Sequence, residues 1–405
     1  RGGGRQPRGG YSRRGKPPLA TSIDLPPDRN LMEGLLSRSI EEIRIPGASE
    51  SAFSGALMDD VEYIASYNWT DANEPAIIVP GSPPVWNDRR TPFTLSPDAR
   101  VNFVDQNAYK MRGSSAFLPV FAAADAVGAT IDWPSLDFVT NRNSLRKLMR
   151  WIGGKADKEF RIDLELLGEN TVLMNRWEKR DREVPKYETF GFSFEEETTN
   201  AALGCGSGTG HHRIVRYVFF GLSILARYEV DACLATPVRS TTSPSSSRDV
   251  GDVSDLLDSL TVNPSPPVSG MGLSSERFGI KIIKGGSKIP QSAIIELTTR
   301  SQNYIDQYDW EEALPQLYLS STPHLYIGVH RRGTFIEIRK HDLNEDALIK
   351  KRREAAQSYK KLGRALEVIQ GLVVEHGADG GLSLVCTQGV LRVYRRVEVS
   401  HSLPS

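Results

Sequence analysis

Short runs of apolar residues, many of them alternating with polar ones, dominate this chain and are typical of β-strands. Strands are predicted in segments such as EPAIIVP, FRIDLELL, NTVLMNRW, IKIIK, AIIELTT and the hairpin HLYIGVHRRGTFIEIRK. Two longer segments favour helices: RNSLRKLMRWIGG, which ends in paired glycines, and the amphipathic stretch NEDALIKKRREAAQSYKKLGRALEVIQGLVVEHG. Because strands dominate and helices pack on them, the pattern indicates an α+β fold with a mixed central β-sheet.

Two segments lack the apolar positions that a folded core needs. Residues 1–30 begin RGGGRQPRGGYSRRGK and form an Arg/Gly-rich arm, and a Ser/Pro/Asp-rich segment spans about 235–270. We expect both to be disordered, the second as an insertion in a single catalytic-type domain over residues 31–400. Arg-Gly-Gly segments contact RNA through charge and stacking, but the arm has an equally simple interpretation as a solubilising tail.

Composition limits the class of protein without deciding its function. The chain has 405 residues, of which 39% are hydrophobic, enough to support a core. Lys plus Arg and Asp plus Glu each number 50, so net charge argues neither for nor against nucleic acid. Three widely spaced cysteines fit a reducing compartment better than a disulfide scaffold. No apolar run approaches the roughly 20 residues of a membrane span, so we expect a soluble intracellular protein, nuclear or cytoplasmic.

Several acids fall where the pattern predicts strands. In RYEVDACL, Glu229 and Asp231 are two residues apart and would share one face of a strand. Glu195 ends GFSFE, which we interpret as an aromatic-alternating strand, and Glu296 lies mid-strand in SAIIELTTR. Each acid alone is most simply an edge or ion-paired residue. Together they carry a desolvation penalty that a shared Mg²⁺ or Mn²⁺ would relieve, since these ions prefer carboxylate oxygens.

The order of these motifs resembles that of the decapping exoribonucleases, the DXO-like enzymes. GFSFE resembles their Gly-hydrophobic-any-hydrophobic-Glu motif, EVD their Glu-any-Asp motif, and IELTTR their Glu-hydrophobic-Lys motif. FVTNRNSLRKLM resembles the segment that carries the family's motif arginine, here Arg142. LPQLYLSSTPHLYIGVHRRG resembles the segment with a glutamine ahead of a Gly-Val hairpin, here Gln316. The similarity covers roughly residues 60 to 340.

The resemblance implies a large mixed sheet with a smaller sheet and flanking helices around a nuclease-like catalytic core. It implies a divalent cation, Mg²⁺ or Mn²⁺, held by four acids: Glu195, Glu229, Asp231 and Glu296. Arg142 would hold a phosphate of an RNA 5′ end, and Gln316 would contact the terminal nucleotide or the scissile region. The implied reactions remove aberrant caps, NAD caps or pyrophosphate from RNA 5′ ends, in some members with 5′→3′ digestion. Yeast members of the family partner a nuclear 5′→3′ exonuclease.

One position departs from the family pattern. Where the family has a lysine that orients the nucleophilic water and steadies transition-state charge, this chain has Thr298. Arg300 is two residues further on the same strand face, and we consider it a substitute for the missing charge. Three functions stay open on the sequence alone. The first is a metal-dependent hydrolase of RNA 5′ ends, the second a weakened relative that binds RNA ends or a nuclease partner, and the third a metal nuclease acting on DNA.

Overall fold

The computed structural model describes residues 25–47, 57–155, 158–185, 187–235, 275–378 and 380–397. The strands are β1 (Leu35–Ile43), β2 (Met58–Thr70), β3 (Ala76–Gly81), β4 (Val85–Trp86), β5 (Phe93–Thr94), β6 (Asn102–Phe103), β7 (Phe138–Asn141), β8 (Phe160–Leu167), β9 (Thr171–Trp177), β10 (Arg182–Glu183), β11 (Thr199–Asn200), β12 (Gly208–Phe219), β13 (Leu222–Val230), β14 (Ala232–Cys233), β15 (Ser275–Arg277), β16 (Ile280–Gly286), β17 (Ile294–Ser301), β18 (His324–Arg331), β19 (Thr334–Asp342), β20 (Leu382–Thr387) and β21 (Val390–Arg396). The α-helices are α1 (Gln106–Lys110), α2 (Leu118–Ala126), α3 (Arg142–Ile152), α4 (Gly191–Thr198), α5 (Trp310–Tyr318), α6 (Asp346–Glu354) and α7 (Ala356–His376).

Two sheets organise the fold. A 12-stranded sheet runs in the order β1-β21-β20-β8-β9-β7-β13-β12-β2-β3-β16-β15, and a 7-stranded sheet runs β11-β4-β14-β17-β18-β19-β5. Strands β7 and β13 pair in parallel, whereas β12 and β13 pair antiparallel, so the large sheet is mixed. The predicted α+β fold, with a large mixed sheet, a smaller sheet and flanking helices, is confirmed.

The central part of the large sheet is buried on both faces, because its strands carry apolar side chains on each face. Val215 and Ile224 face the core formed with α3 and α7, whereas Ile214 and Leu225 face the core formed with α2. The smaller sheet is covered in the same way. Helix α4 packs on one of its faces and α5 on the other, since the side chains of β18 alternate between the two cores.

The chain passes from the large sheet to the small one at Asp231. Strand β13 of the large sheet ends at Val230, and β14 of the small sheet begins at Ala232. The interpretation of RYEVDACL as one continuous strand is therefore wrong, because Asp231 belongs to neither strand and its carboxylate accepts a hydrogen bond from the backbone N–H of Leu297 at 2.8 Å.

The prediction of a strand at GFSFE is also wrong, because this segment is helix α4. Phe190 and Phe194 are four residues apart, a helical spacing, and both rings pack against Phe335 with centroid distances of 6.5 and 4.9 Å. The carboxylate of Asp98 accepts a hydrogen bond from the N–H of Ser193 at 2.9 Å and so stabilises the first turn. Packing of these two rings on the small sheet therefore favours a helix, although apolar and polar residues alternate in GFSFE.

Most of both segments predicted to be disordered lies outside the described residues, namely residues 1–24 of the arm and 236–270 of the insertion. Residues 25–30 form no helix or strand, and the backbone N–H of Arg29 donates to the carbonyl of Lys179 at 2.8 Å. Within the described part of the chain, no helix is both long and apolar enough to cross a membrane.

Candidate functional site

The candidate site begins at the carboxyl end of β7, where helix α3 starts. Strand β7 lies parallel to β13, with Asn141 opposite Arg227, so the first residue of α3 lies near the end of β13. That first residue is Arg142. The sequence therefore places the predicted arginine beside the junction that carries Glu229 and Asp231.

Glu296 is held by two of the other predicted residues. Arg142 donates from Nη1 to Oε2 of Glu296 at 2.9 Å, and Gln316 donates from Nε2 to Oε1. Only 9% of Arg142 and 8% of Glu296 are exposed. Burial disfavours the charged guanidinium, but the carboxylates of Glu296 and Asp231 outweigh it and raise the pKa of Arg142. Arg142 thus pairs with a carboxylate rather than standing free.

The remaining three acids carry pKa values above their ordinary range. Burial, followed by the charges of Glu229 and Glu296, raises the pKa of Glu195 to about 8. Burial and the charges of Glu296 and Glu195 raise the pKa of Asp231 well above that of a free aspartate. Four carboxyl groups from three separate parts of the chain therefore lie within electrostatic range of one another.

Glu229 combines solvent access with dense surroundings. Its side chain is exposed, yet the protein packed around it removes part of its hydration and raises its pKa, against the opposing charges of Arg142 and Arg176. Gly210 lies nearby: a Cβ there would lie 2.4 Å from Oε1 of Gln106 and 3.4 Å from Oε1 of Glu229, so a side chain at this position would displace the Gln106 amide. Water therefore reaches the Glu229 carboxylate, and the surrounding protein still favours a bound positive charge beside it.

Thr298 and Arg300 line the same cavity as Glu296 and Gln316. This cavity has a volume of about 220 Å³. Glu296, Thr298 and Arg300 alternate along β17 and so lie on one face of the small sheet, the face covered by α5. Glu195 comes from α4, on the opposite face of that sheet. The structure thus brings Glu296, Thr298, Arg300 and Gln316 to one cavity, with Glu195, Glu229 and Asp231 coupled to it by charge.

Sequence reasoning missed several charged residues around the site. Arg146 and Glu312 line the cavity, and Arg146 donates to Glu312 at 2.9 Å. Arg146 follows Arg142 by four residues, the spacing that places two side chains on one helix face, and this signal was available in the sequence. Arg176 is the penultimate residue of β9 and its charge acts on Glu229, and nothing in its local sequence indicates that role.

A divalent cation such as Mg²⁺ or Mn²⁺ needs several oxygen ligands close together. Among the described residues, no three His, Cys, Asp or Glu side chains are spaced to hold one ion. The chemistry of the four acids still fits Mg²⁺ or Mn²⁺, because the donors are carboxylate oxygens. Burial and the charges of neighbouring carboxylates raise the pKa values of Glu195 and Asp231, a penalty that bound positive charge relieves.

Comparison with known proteins adds a family and a fold. A family model described as a domain of unknown function (DUF8563) matches residues 39–405. The chain belongs to this family. No curated protein matches it in sequence.

Solved structures that resemble this chain include Rai1 proteins from two organisms. S. pombe Rai1 is 14% identical, with a TM-score of 0.56 over 88% of this chain and 99% of that one. Scheffersomyces stipitis Rai1 is 11% identical, with a TM-score of 0.51 over 90% of this chain and 94% of that one. At such low identity the likeness concerns the fold alone. The resemblance to the decapping exoribonucleases found in the sequence motifs is confirmed at that level.

Proposed function

We propose that this protein is a divalent-metal-dependent hydrolase of RNA 5′ ends. The observation that carries the proposal is that four carboxyl groups lie within electrostatic range of one another, those of Glu195, Glu229, Asp231 and Glu296. These acids occupy the positions of the motifs that resemble the decapping exoribonucleases, on a fold shared with Rai1 structures. One of those structures, of S. pombe Rai1 with a TM-score of 0.55, is a complex with 3′-FADP. A nucleotide-bearing 5′ end is therefore the substrate class that we assign.

In the proposed site, the four acids would hold Mg²⁺ or Mn²⁺. When bound, the cation supplies positive charge that offsets the negative charge developing on a phosphoryl oxygen. Arg142 and Gln316 fix the orientation of the Glu296 carboxylate through their hydrogen bonds. Arg300 supplies a guanidinium in the same cavity, two residues beyond the neutral Thr298. We place the 5′ phosphates of the RNA between these groups.

A second function is favoured by two observations. Thr298 cannot supply the charge that the family's lysine gives, and both oxygens of Glu296 accept hydrogen bonds from the protein's own side chains. A protein without the lysine charge, and with both Glu296 oxygens already hydrogen-bonded, would bind RNA ends or an exonuclease partner without cleaving the RNA.

The deciding experiment is incubation with RNAs carrying a 5′-triphosphate, a cap or an NAD cap, and with a DNA strand of the same sequence, in Mn²⁺ or in chelator. We expect release of pyrophosphate or cap from at least one RNA with Mn²⁺ only, and none from the variant Asp231→Asn. Binding of these RNAs without any release would favour the binding protein instead. Cleavage of the DNA strand in preference to RNA would contradict the assigned substrate.

A further inference from the structure

Arg213, in β12, is a buried cation that has no partner of opposite charge in the described part of the chain. Only 1% of this residue is exposed. Its Nε donates to Oε1 of Gln291 at 2.8 Å, whereas Nη1 and Nη2 have no hydrogen-bond partner among the described residues. No described acid forms an ion pair with it. Buried guanidinium groups are normally paired, because an unpaired charge in the interior is strongly destabilising.

The amide that accepts from Arg213 brings no negative charge. Nε2 of Gln291 donates to the backbone carbonyls of Ser320 and Ser321 at 3.1 and 2.9 Å, and to the hydroxyl of Tyr228 at 3.0 Å. These contacts fix the orientation of the amide, so that its oxygen faces the guanidinium. A single neutral acceptor satisfies one donor of Arg213 and leaves the charge uncompensated.

The groups that most favour the charged form of Arg213 are themselves uncharged near neutral pH. Burial lowers the pKa of Arg213, and Tyr228, Tyr63 and Cys233 act against this effect. Burial raises the pKa of each of these three groups, that of Cys233 to about 11. All three therefore keep their protons near pH 7. Arg213 is still charged there, since a guanidinium is not deprotonated in proteins.

A second cation lies beside the same aromatic ring as Arg213. Cζ of Arg213 is 4.5 Å from the centre of the Tyr63 ring, and Nζ of Lys288 is 4.7 Å from it. Lys288 is exposed, and it too forms no ion pair with a described residue. The ring attracts both cations but carries no net charge. Since Tyr63 is only partly buried, this pair of cations lies close to the surface.

The pair of cations is separate from the four acids of the candidate site. Tyr228 stands between them, because its hydroxyl contacts Gln291 while Cζ of Arg142 lies 5.5 Å from its ring centre. Arg142 is the guanidinium that pairs with Glu296. The carboxylates of the candidate site are therefore engaged on the other side of Tyr228 and do not neutralise Arg213.

We propose that Arg213 and Lys288 hold a small inorganic oxyanion of the size of phosphate. Nη1 and Nη2 of Arg213 form a planar fork that matches two oxygens of such an ion. Lys288 adds a charged donor from the surface side. Because Arg213 is almost wholly buried, the ligand is the free ion and not a phosphate group of a nucleic acid or a lipid.

The test is calorimetric titration of the full chain with sodium phosphate in EDTA at constant ionic strength, repeated with sulfate and with chloride. We expect the parent to bind one phosphate. Lys288→Gln should weaken phosphate binding about tenfold, because one charge-assisted hydrogen bond is lost. Arg213→Met, which replaces the guanidinium by an unbranched uncharged side chain, should abolish it. Sulfate should bind as phosphate does, and chloride more weakly, since it offers the fork one atom instead of two.

The matched control is Lys281→Gln, which removes the same charge from an exposed residue near the other end of β16 and should leave phosphate affinity unchanged. If Arg213→Met does not fold, Lys288→Gln decides, because Lys288 is exposed. No binding by the parent, equal affinity in the parent and Lys288→Gln, or chloride bound as tightly as phosphate would overturn the proposal. Phosphate affinity that is lost in Arg300→Gln and kept in Lys288→Gln would place the ion in the candidate site and would also overturn it. The titration measures no turnover, so its outcome is independent of the proposed function.

Discussion

At the scale of single residues, position 298 separates this chain most clearly from the motif that it resembles. Thr298 lies between Glu296 and Arg300 on one face of β17, and all three line the cavity. A threonine hydroxyl is neutral and shorter than a lysine side chain. The arginine two residues further is charged, but its guanidinium is beside Tyr308. A cationic side chain at position 298 is therefore the part of the motif that this chain lacks.

Restoring that charge gives the first prediction. Thr298→Lys should raise turnover on 5′-triphosphate or capped RNA and leave cation affinity nearly unchanged, because preorganised charge at a transition state is worth on the order of 10²-fold in rate. If Arg300 already substitutes, the gain will be small, and Arg300→Ala will abolish turnover. Steady-state kinetics on the purified variants measure both effects.

Thr94→Lys is the control, since Thr94 is an exposed residue of the same small sheet outside the cavity. Brisk turnover in the parent that survives both Thr298→Lys and Arg300→Ala unchanged would show that β17 supplies no catalytic charge.

At the scale of elements, helix α4 depends on the strand beneath it to position Glu195. Gly328 of β18 lies under this helix, and a Cβ there would come within 2.6 Å of the Phe194 ring and 2.7 Å of the Phe335 ring. Phe194 directly precedes Glu195. The packing of the small sheet therefore sets where this carboxyl group lies.

Gly328→Ala should consequently displace α4. We expect a loss of about 1–3 kcal/mol in the free energy of unfolding, typical of overpacking, and a weaker affinity for Mn²⁺. Denaturant unfolding and a metal titration measure the two effects. Gly191→Ala is the matched control, because a Cβ at this first residue of α4 meets nothing within 4 Å. A variant Gly328→Ala as stable as Gly191→Ala and with the parent's cation affinity would contradict this account of α4.

The same elements show how far the sequence alone leads. The strand around Glu296 and the helix after Arg142 follow from local apolar pattern and paired glycines, so they were predicted correctly. GFSFE was mistaken for a strand because the ring on which it packs, Phe335, lies far along the chain. The pairing of Arg146 with Glu312 spans 166 residues and could not be predicted from either local sequence. Local pattern therefore predicts elements, whereas contacts between distant elements decide the surroundings of the site.

At the scale of the whole molecule, the two sheets meet at Asp231, and the large sheet carries a buried pair of histidines beside this junction. His211 is only 2% exposed; its Nδ1 lies 2.9 Å from Oδ1 of Asn68, and its Nε2 has no hydrogen-bond partner among the described residues. Burial and the nearby Arg213 lower its pKa from 6.5 to about 3. Between about pH 6.5 and pH 3, His211 therefore stays neutral in the folded protein, whereas the unfolded chain takes up a proton there.

The sign of the resulting pH effect follows from this lowered pKa. Stability from neutral His211 is fully present above pH 6.5 and is lost as the pH falls towards 3, because the unfolded state binds the extra proton. At pH 5 the loss amounts to about 2 kcal/mol. His211→Gln should therefore lose less unfolding free energy than the parent between pH 7 and pH 5. Urea unfolding at both pH values measures the difference, and identical pH dependence of parent and variant would contradict the buried neutral state.

If the carboxyl groups of Glu195, Glu229, Asp231 and Glu296 form a site for a divalent cation, calorimetric titration with Mn²⁺ will detect binding. We expect the parent to bind Mn²⁺ and the double variant Glu229→Gln, Asp231→Asn to lose at least tenfold in affinity, since carboxylate oxygens are the ligands that this ion prefers. The control is Asp125→Asn, which removes an exposed carboxylate paired with Arg277 and should bind as the parent does. Mn²⁺ affinity that is equal in the parent and the double variant would contradict a cation site at these carboxyl groups.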